Sequence, residues 1–335
     1  SGAVFRFNRG DMIVQGTHFG TPISGLGSVV QAGSGTVVFS GTNTYTGGTT
    51  INAGTLQLGN GGTVGGLSGS GALQVNVGGE LVLNRSNSIT QGTDFGSVIS
   101  GSGNVTQAGL GITILTGTNT YTGLTSVKVG TLQLGNGGST GALSTTGSIS
   151  VSSGALFAFN RSNTVTQGTD FGPVIFGAGG VLQSGSGTTI LTGSNLYTGT
   201  SMVTAGTLQI GNNGTTGSVS PLSSLNVGAG GLLAFRRTDT VTQGVDFSSV
   251  ISGAGGVTQL GSGTLVLTGS NTYTGTTTVS GGILQLGSGG SNGSLSGAGS
   301  ISIGSGAVFR FNRGDTIVQG THFGTPISGL GSVVQ

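Results

Sequence analysis

The sequence predicts an all-β chain that folds as a parallel β-solenoid, and three observations lead to this fold class. One spacing, 76 residues, recurs along all 335 residues without an insertion or deletion. Short runs rich in Val, Ile, Leu, Phe and Thr are bounded by Gly, Asn or Ser, as in strands joined by tight turns. No segment holds the 3.6-residue apolar period of a helix. A fixed period over a whole chain is typical of a protein whose units stack on one another.

The repeat is clearest in residues 41–60, GTNTYTGGTTINAGTLQLGN, which return three more times. Counted from residue 1, repeats 1 to 5 begin at residues 1, 77, 153, 229 and 305. Residues 305–335 restate residues 1–31 with one difference, Met12 against Thr316. We therefore expect residues 1–335 to form a single continuous solenoid of about 4.4 copies, a window of a longer array or fibre.

The number of coils in each repeat follows from the spacing of similar strands. VFRF (4–7), SVVQ (28–31), TLQL (55–58) and LVLN (81–84) follow one another at steps of about 24, 27 and 25 residues. Such a step accommodates three short strands and three turns, so we predict about three coils per repeat. Coils stack about 4.8 Å apart, which gives an advance of roughly 14 Å per repeat. Four coils of about nineteen residues are the alternative.

Composition excludes several classes of function. A net charge of +2, with charged residues at only 5%, provides no basic surface for nucleic acid. No run of 18 apolar residues predicts a membrane span. The absence of cysteine removes disulfides and thiolate metal sites. Glycine, at 75 residues, suits the corners of a solenoid, where side chains would crowd the backbone.

Residues 263–287, GTLVLTGSNTYTGTTTVSGGILQLG, resemble a known family. They join a Gly-Thr-Leu strand, an Asn-x-Tyr-x-Gly turn and a Gly-x-Leu-Gln-Leu strand at a set spacing, as do residues 35–59, 111–135 and 187–211. This pattern is similar to the autotransporter-associated β-strand repeat, also called the passenger-associated transport repeat. The resemblance implies a right-handed parallel β-helix in a large secreted bacterial protein, commonly an autotransporter passenger, located outside the cell or on its surface.

Three columns of uncharged side chains recur at the 76-residue step, and we interpret them as structural ladders. A tyrosine at a corner could instead stack on a sugar ring, which would make it part of a glycan-binding face. The phenylalanines are expected in an aromatic core or cap. The three columns are Tyr45, Tyr121, Tyr197 and Tyr273; Asn43, Asn119, Asn195 and Asn271; and Phe19, Phe95, Phe171, Phe247 and Phe323.

The basic column consists of Arg9, Arg85, Arg161, Arg237 and Arg313. A solvated or ion-paired ladder is one interpretation, and contact with a neighbouring filament or an acidic glycan is the other. The first and last arginines begin Arg-Gly-Asp, the tripeptide that integrins bind, whereas Arg85 and Arg161 begin Arg-Ser-Asn. The column itself therefore does not require the tripeptide.

The acidic residues do not predict catalysis. Asp94, Asp170 and Asp246 share one column, which His18 and His322 occupy in the outer repeats. A glycosidase needs two carboxylates on either side of one bond, and members of this column are expected roughly 14 Å apart. The two histidines have no third partner for a metal. We therefore predict no enzyme activity, no catalytic or metal-binding residues and no cofactor.

The sequence thus favours a secreted structural protein that builds a stiff extracellular fibre, stalk or surface layer from stacked coils. Its expected partners are copies of itself or further repeats of the same chain, end to end and side by side. The alternative is an autotransporter-type adhesin passenger that binds glycans or cell surfaces.

Overall fold

A computed structural model describes residues 2–20, 22–67, 71–96, 98–248, 250–295 and 299–335. It contains two compact units: Ser1–Arg161 with Gly168–Ile175, and Ser162–Gln167 with Phe176–Gln335. Over the described residues every regular element is a β-strand, and no helix occurs. The predicted all-β class is confirmed.

Strands of two to five residues make up the first unit. They are β1 (Val4–Phe7), β2 (Ile13–Val14), β3 (Ser28–Gln31), β4 (Thr36–Phe39), β5 (Thr49–Ile51), β6 (Gly54–Leu58), β7 (Leu73–Val75), β8 (Gly79–Leu83), β9 (Ile89–Thr90), β10 (Ile99–Gly101), β11 (Asn104–Gln107), β12 (Ile112–Leu115), β13 (Thr125–Val127), β14 (Thr131–Leu134), β15 (Ile149–Val151) and β16 (Leu156–Phe159).

Two longer strands, β22 and β23, occur among those that follow. These strands are β17 (Val165–Thr166), β18 (Ile175–Gly177), β19 (Gly180–Gln183), β20 (Thr188–Leu191), β21 (Leu196–Tyr197), β22 (Ser201–Gly214), β23 (Leu225–Arg237), β24 (Thr240–Thr242), β25 (Ile251–Ser252), β26 (Gly256–Gln259), β27 (Thr264–Leu267), β28 (Thr277–Val279), β29 (Ile283–Leu286), β30 (Ile301–Ile303), β31 (Val308–Phe311), β32 (Ile327–Gly329) and β33 (Ser332–Val334).

In the first unit each strand pairs in parallel with strands 19 to 26 residues away, one turn earlier or later. One ladder runs β1-β3-β5-β7-β10, a second β2-β4-β6-β8-β11-β13-β15, and a third β9-β12-β14-β16. In the second unit β24-β27-β29-β31-β33 form a ladder of the same kind. Each unit is therefore a parallel β-solenoid, as the sequence predicts.

One repeat makes about three and a third turns. Along the second ladder, three turns lead from Ile13 through Val37 and Leu56 to Leu81, a distance of 68 residues. A fourth turn reaches Val105, 92 residues from Ile13. The repeat of 76 residues ends 8 residues into that 24-residue turn. Its equivalent of Ile13, Ile89, consequently starts the third ladder instead of continuing the second.

The predicted order of successive coils is wrong at one step. SVVQ (28–31) was expected to lie beside TLQL (55–58), but β3 pairs with β5, the shorter run TTI. TLQL, in β6, pairs instead with β4 and β8 on another ladder. Similar composition is misleading here because every turn carries several short strands of similar residues. About three coils per repeat remains correct, and the advance becomes about 16 Å per repeat.

Inward side chains of neighbouring turns fill a narrow core. Leu56 and Leu58 of β6 are at most 1% exposed, and the strand alternates them with Gln57. Full burial of such a side chain contributes about 1.5–3 kcal/mol. Aromatic rings pack within a turn: the centroids of Phe159 and Phe171 are 4.9 Å apart, and in the second unit those of Phe235 and Phe247 are 4.8 Å apart.

The corner before β14 requires glycine because the preceding turn lies directly against it. Gly130 has a φ of +64°, and a Cβ atom there would overlap the carbonyl oxygens of Gly109 and Gly111. The same overlap recurs at the equivalent glycines, Gly54, Gly206 and Gly282. Close stacking of these corners therefore excludes every residue with a side chain.

We predict that Gly130→Ala lowers the free energy of unfolding by more than 3 kcal/mol, because a strained φ and a backbone clash add together. Gly137→Ala is the matched control, since Gly137 has a φ of +81° but open space around its Cβ position. The control should cost only about 1–2 kcal/mol. Urea denaturation of both variants measures the difference, and equal losses would show that the close stacking is not what selects glycine.

Candidate functional site

The asparagine column forms a buried amide clamp that joins neighbouring turns. In repeat 1, Gln15 Nε2 donates to Asn43 Oδ1 at 2.6 Å, and Asn43 Nδ2 donates back to Gln15 Oε1 at 3.2 Å. Asn43 Oδ1 also accepts the backbone N–H of Ile23, and Nδ2 donates to the carbonyl of Gly66 in the next turn. One side chain thus ties together backbone from successive turns.

The same clamp recurs at the other asparagines. Asn119 exchanges bonds of 2.5 and 3.1 Å with Gln91 and is 1% exposed. In the second unit Asn195 pairs with Gln167, and Asn271 pairs with Gln243. Because a buried polar group without a partner costs about 1–3 kcal/mol, this reciprocal bonding is what makes asparagine acceptable in the core.

Each tyrosine of the column is also turned inward. The four are at most 3% exposed, and each hydroxyl meets a Thr or Ser hydroxyl four residues later at 2.5–2.7 Å. Burial raises the pKa of each tyrosine well above its ordinary value. The rings leave no open face on which a sugar could stack. The pairs are Tyr45 with Thr49, Tyr121 with Thr125, Tyr197 with Ser201, and Tyr273 with Thr277.

The phenylalanines do not stack on their own copies. In repeats 1, 3, 4 and 5 a second phenylalanine lies twelve residues earlier in the sequence, and the phenylalanine of the column packs on its ring. The closest centroid distances lie between 4.8 and 5.0 Å. Phe95 is fully buried although residue 83 is a leucine. The four pairs are Phe19 with Phe7, Phe171 with Phe159, Phe247 with Phe235, and Phe323 with Phe311.

Most arginines of the basic column bind a glycine-rich loop that precedes them by about one turn. Arg161 donates to the carbonyls of Gly141 at 2.9 Å and Ser139 at 2.7 Å, and its side chain is 7% exposed. Arg237 donates to Gly217, and Arg85 to Gly65. Arg313 makes the equivalent bond to Gly293. Only a small part of these guanidinium groups is left for an outside partner.

Two carboxylate positions neutralise the arginines. Nine residues on, Asp94 lies 3.4 Å from Arg85, and Asp170 lies 3.7 Å from Arg161. Two residues on, Asp239 binds Arg237, and this hydrogen bond holds the pKa of the carboxyl below its usual range. The remaining pairs of this second kind are Arg9 with Asp11 and Arg313 with Asp315.

The Arg-Gly-Asp tripeptides are closed on themselves. Arg9 binds Asp11 through two hydrogen bonds of 2.8 and 2.6 Å, and Arg313 binds Asp315 at 2.9 and 2.7 Å. Within the ranges that the structure describes, no three His, Cys, Asp or Glu side chains converge on one point. The same residues contain no helix of the length and hydropathy needed to cross a bilayer.

Sequence reasoning missed the partners that complete these columns. The glutamines Gln15, Gln91, Gln167 and Gln243 follow the same 76-residue step, but the sequence does not show that each meets an asparagine 28 residues later. A second buried glutamine column was also missed. In repeat 2, Gln107 Nε2 binds the carbonyl of Gly109, and its Oε1 accepts the hydroxyl of Thr113 at 2.6 Å.

Repeat 1 breaks this second glutamine pattern. Gln31 is 1% exposed, and its Nε2 binds Gly33 and Gly35, but its Oε1 has no partner. Residue 37, the position of the donating threonine in repeat 2, is a valine in repeat 1. A buried acceptor therefore lacks its donor.

We predict that Asn119→Ala lowers the free energy of unfolding by about 3 kcal/mol, because Gln91 Nε2 and the N–H of Ile99 both lose the acceptor Asn119 Oδ1, whereas Gln91 Oε1 keeps the N–H of Gly117. Asn76→Ala is the control, since its bond to Asn52 is exposed to water. It should cost less than about 1 kcal/mol. Chemical denaturation measures both, and a loss as small as that of the control would mean that the clamp stabilises little.

We also predict that Val37→Thr raises the free energy of unfolding by about 1 kcal/mol, because the new hydroxyl can donate to Gln31 Oε1. Thr113→Val should have the opposite effect and remove about 1–3 kcal/mol. The control is Val105→Thr, a fully buried valine with no acceptor waiting, which should destabilise. If Val37→Thr destabilises as much as Val105→Thr, the missing donor is not the reason for the open acceptor.

Comparison with known proteins identifies the repeated segment. The sequence model of the passenger-associated-transport-repeat family matches residues 29–58, 105–134, 181–210 and 257–286. In repeat 1 this match extends from β3 to β6 and includes Asn43, Tyr45 and Gly54. The matched segment thus contains the asparagine of the amide clamp but not its glutamine, together with the buried hydroxyl pair and the close-stacked corner.

Two curated relatives are similar to this chain, one over most of its length and the other over about a quarter of it. The adhesin BmaC autotransporter of Brucella suis biovar 1 (strain 1330) is 32% identical over 343 residues, 78% of this chain and 10% of that protein. An extracellular serine protease of Serratia marcescens is 44% identical over 86 residues, 24% of this chain and 8% of that protein. The chain thus spans about a tenth or less of the length of these relatives. No solved structure matches. The chain carries four passenger-associated transport repeats, each folded as part of a parallel β-solenoid.

Proposed function

We propose that the chain is a non-catalytic spacer of a secreted or surface-exposed bacterial passenger protein. The observation that carries this proposal is that the repeated polar side chains point into the solenoid and are hydrogen-bonded there. Their hydrogen bonds are made inside the solenoid, as those of Asn43 with Gln15 and of Tyr45 with Thr49 show, and the equivalent residues of repeat 2 do the same. What recurs in each repeat therefore serves folding and stacking.

Residues on the outside vary in a way that residues of the clamp do not. At one exposed corner, residues 26, 102, 178, 254 and 330 are Leu, Ser, Ala, Ala and Leu. A binding face that was used in every repeat would keep its chemistry from one repeat to the next. The partners in this proposal are further solenoid turns, of the same chain or of another copy, which pair through the same parallel backbone bonds.

Similarity to an autotransporter adhesin and to an extracellular protease supports a location outside the bacterial cell. The match to the protease covers 24% of this chain, 86 residues, which is little more than one 76-residue repeat. A passenger needs distance between its anchor and its active part, and each repeat of about 16 Å supplies it.

Adhesion by this chain is the second candidate, and one observation favours it. Leu110, Ile112 and Val129 are 76%, 37% and 37% exposed at stacked corners of repeat 2. Repeat 1 has Ser, Thr and Ala at these three positions, and repeat 3 has the same three residue types. The cluster is therefore an apolar surface patch specific to repeat 2, of the kind that can mark a contact with another molecule.

Two deletions of 76 residues separate the two functions. The first removes residues 54–129, and with them the apolar patch, and the second removes residues 206–281. Both join an alanine to a glycine that is equivalent to the first residue removed, so the repeat continues in register. The intact chain and both variants are displayed on a bacterium through an unrelated anchor, each carrying the same terminal reporter domain.

A spacer predicts that both deletions reduce the access of an antibody to the reporter to the same extent and that none of the three chains binds epithelial cells above an anchor-only control. An adhesin predicts saturable cell binding that the first deletion abolishes and the second preserves. The triple variant Leu110→Ser, Ile112→Thr, Val129→Ala tests the patch without shortening the chain. Saturable binding lost in that variant would reject the spacer role.

A further inference from the structure

A turn that follows the short strand β2 is closed by a side chain, and we call it the capped turn. In repeat 1 it comprises residues 14–19, where His18 N donates to the carbonyl of Val14 at 2.9 Å and Gly16 N donates to the carbonyl of Phe19 at 2.8 Å. The equivalent turns include residues 90–95, 242–247 and 318–323. In each of these four turns the first backbone N–H points to the side chain four residues later.

The acceptor in this bond differs between repeats. In repeats 2 and 4 it is a carboxylate: Asp94 Oδ2 accepts from Thr90 at 2.8 Å, and Asp246 Oδ2 accepts from Thr242 at 2.7 Å. In repeats 1 and 5 it is an imidazole nitrogen, Nδ1 of His18 or of His322, which accepts from a valine N–H at 3.0 Å. Two chemically different groups thus close the same turn.

An imidazole nitrogen can accept a hydrogen bond only while it carries no proton. The cap therefore requires the neutral tautomer with its proton on Nε2, because in the imidazolium both ring nitrogens are donors. Free histidine takes up a proton near pH 6.5, whereas free aspartate does so near pH 3.9. At a pH at which the imidazole is protonated and the carboxylate is not, a carboxylate still closes the turn and an imidazole does not.

We propose that His18 and His322 make their capped turns acid-sensitive, so that repeats 1 and 5 loosen locally at a pH at which the aspartate-capped turns of repeats 2 and 4 stay closed. The neutral imidazole holds the turn, and protonation places a donor against the N–H of Val14 or Val318. The cap thus stabilises its turn while the imidazole is neutral, and this stabilisation is lost when acid protonates the ring.

The charged groups near each histidine belong to an ion pair of opposite charges. His322 faces the ion pair of Arg313 and Asp315, whose nitrogen and oxygen lie 2.7 Å apart. Arg313 opposes a positive imidazolium, and Asp315 favours it. The adjoining turn contributes the uncharged backbone of Leu295, which donates to the carbonyl of His322 at 2.8 Å. Around His18 the corresponding groups are Arg9 and Asp11.

Opening of the turn would be transmitted to the core through the next residue. Phe323 follows His322 and packs on Phe311 at a centroid distance of 4.9 Å, and Phe19 packs on Phe7 at 5.0 Å. A loosened capped turn therefore weakens an aromatic contact. The change remains local, because Asp94 and Asp246 keep the other two described caps closed.

Hydrogen exchange on the intact chain tests the proposal at residue resolution. Amide protection factors, corrected for the intrinsic pH dependence of exchange, are measured by NMR at pH 7.5 and pH 5.0. Protection of Val14 and Val318 should fall several-fold at pH 5.0, because a protonated ring nitrogen cannot accept their N–H groups. Protection of Thr90 and Thr242 should change less than about twofold, because their acceptors are carboxylates.

The repeats themselves supply the matched variants. His322→Asp installs the cap of repeat 2 and should keep Val318 protected at both pH values, while Val14 in the same molecule stays acid-sensitive. Asp94→His should transfer the sensitivity to Thr90. The ring nitrogen shifts of the two histidines give a readout that needs no variant, and at pH 7.5 they should report the Nε2–H tautomer. Unchanged protection of Val14 and Val318, or pH dependence that persists at Val318 in His322→Asp, would overturn the proposal.

Discussion

The backbone hydrogen bond between successive turns is the constraint on which this structure depends. In a solenoid each strand pairs with the turn before it and the turn after it. Every corner must therefore place the next strand within hydrogen-bonding distance of the strand one turn earlier. This requirement explains the glycine at residue 130, where two carbonyls of the preceding turn occupy the space of a side chain. It also explains the buried amide of Asn43, which bonds to backbone that belongs to the turns on both sides.

Local pattern was sufficient to predict the fold class from the sequence, whereas the phase of the repeat was not accessible. Short β-branched runs between glycines predict strands and turns without knowledge of their neighbours. The pairing of SVVQ with TTI depends instead on the number of residues in each corner between strands. By composition alone, TLQL resembles SVVQ more than TTI does. Strand similarity therefore gives about three turns and misses the additional third.

The candidate columns were visible in the sequence, but their chemistry was only partly so. Tyr45 and Asn43 were recognised from their spacing, and the sequence left open whether they face a ligand or the core. The arginines illustrate a different limit. Arg161 binds two main-chain carbonyls, and such acceptors have no signature in a sequence because every residue carries one. Partners of this kind become known only when the turns are placed side by side.

The extra third of a turn has a consequence for how such arrays change by recombination. Within each unit, residues 76 positions apart lie on neighbouring ladders, as Ile13 and Ile89 do. Gain or loss of one repeat therefore rotates every exposed residue beyond it in that unit by a third of a turn about the solenoid axis, while the buried contacts are repeated. The number of repeats therefore sets the direction of an exposed surface as well as the length of the solenoid. Unequal crossing-over changes the direction that a surface faces without changing any residue of that surface.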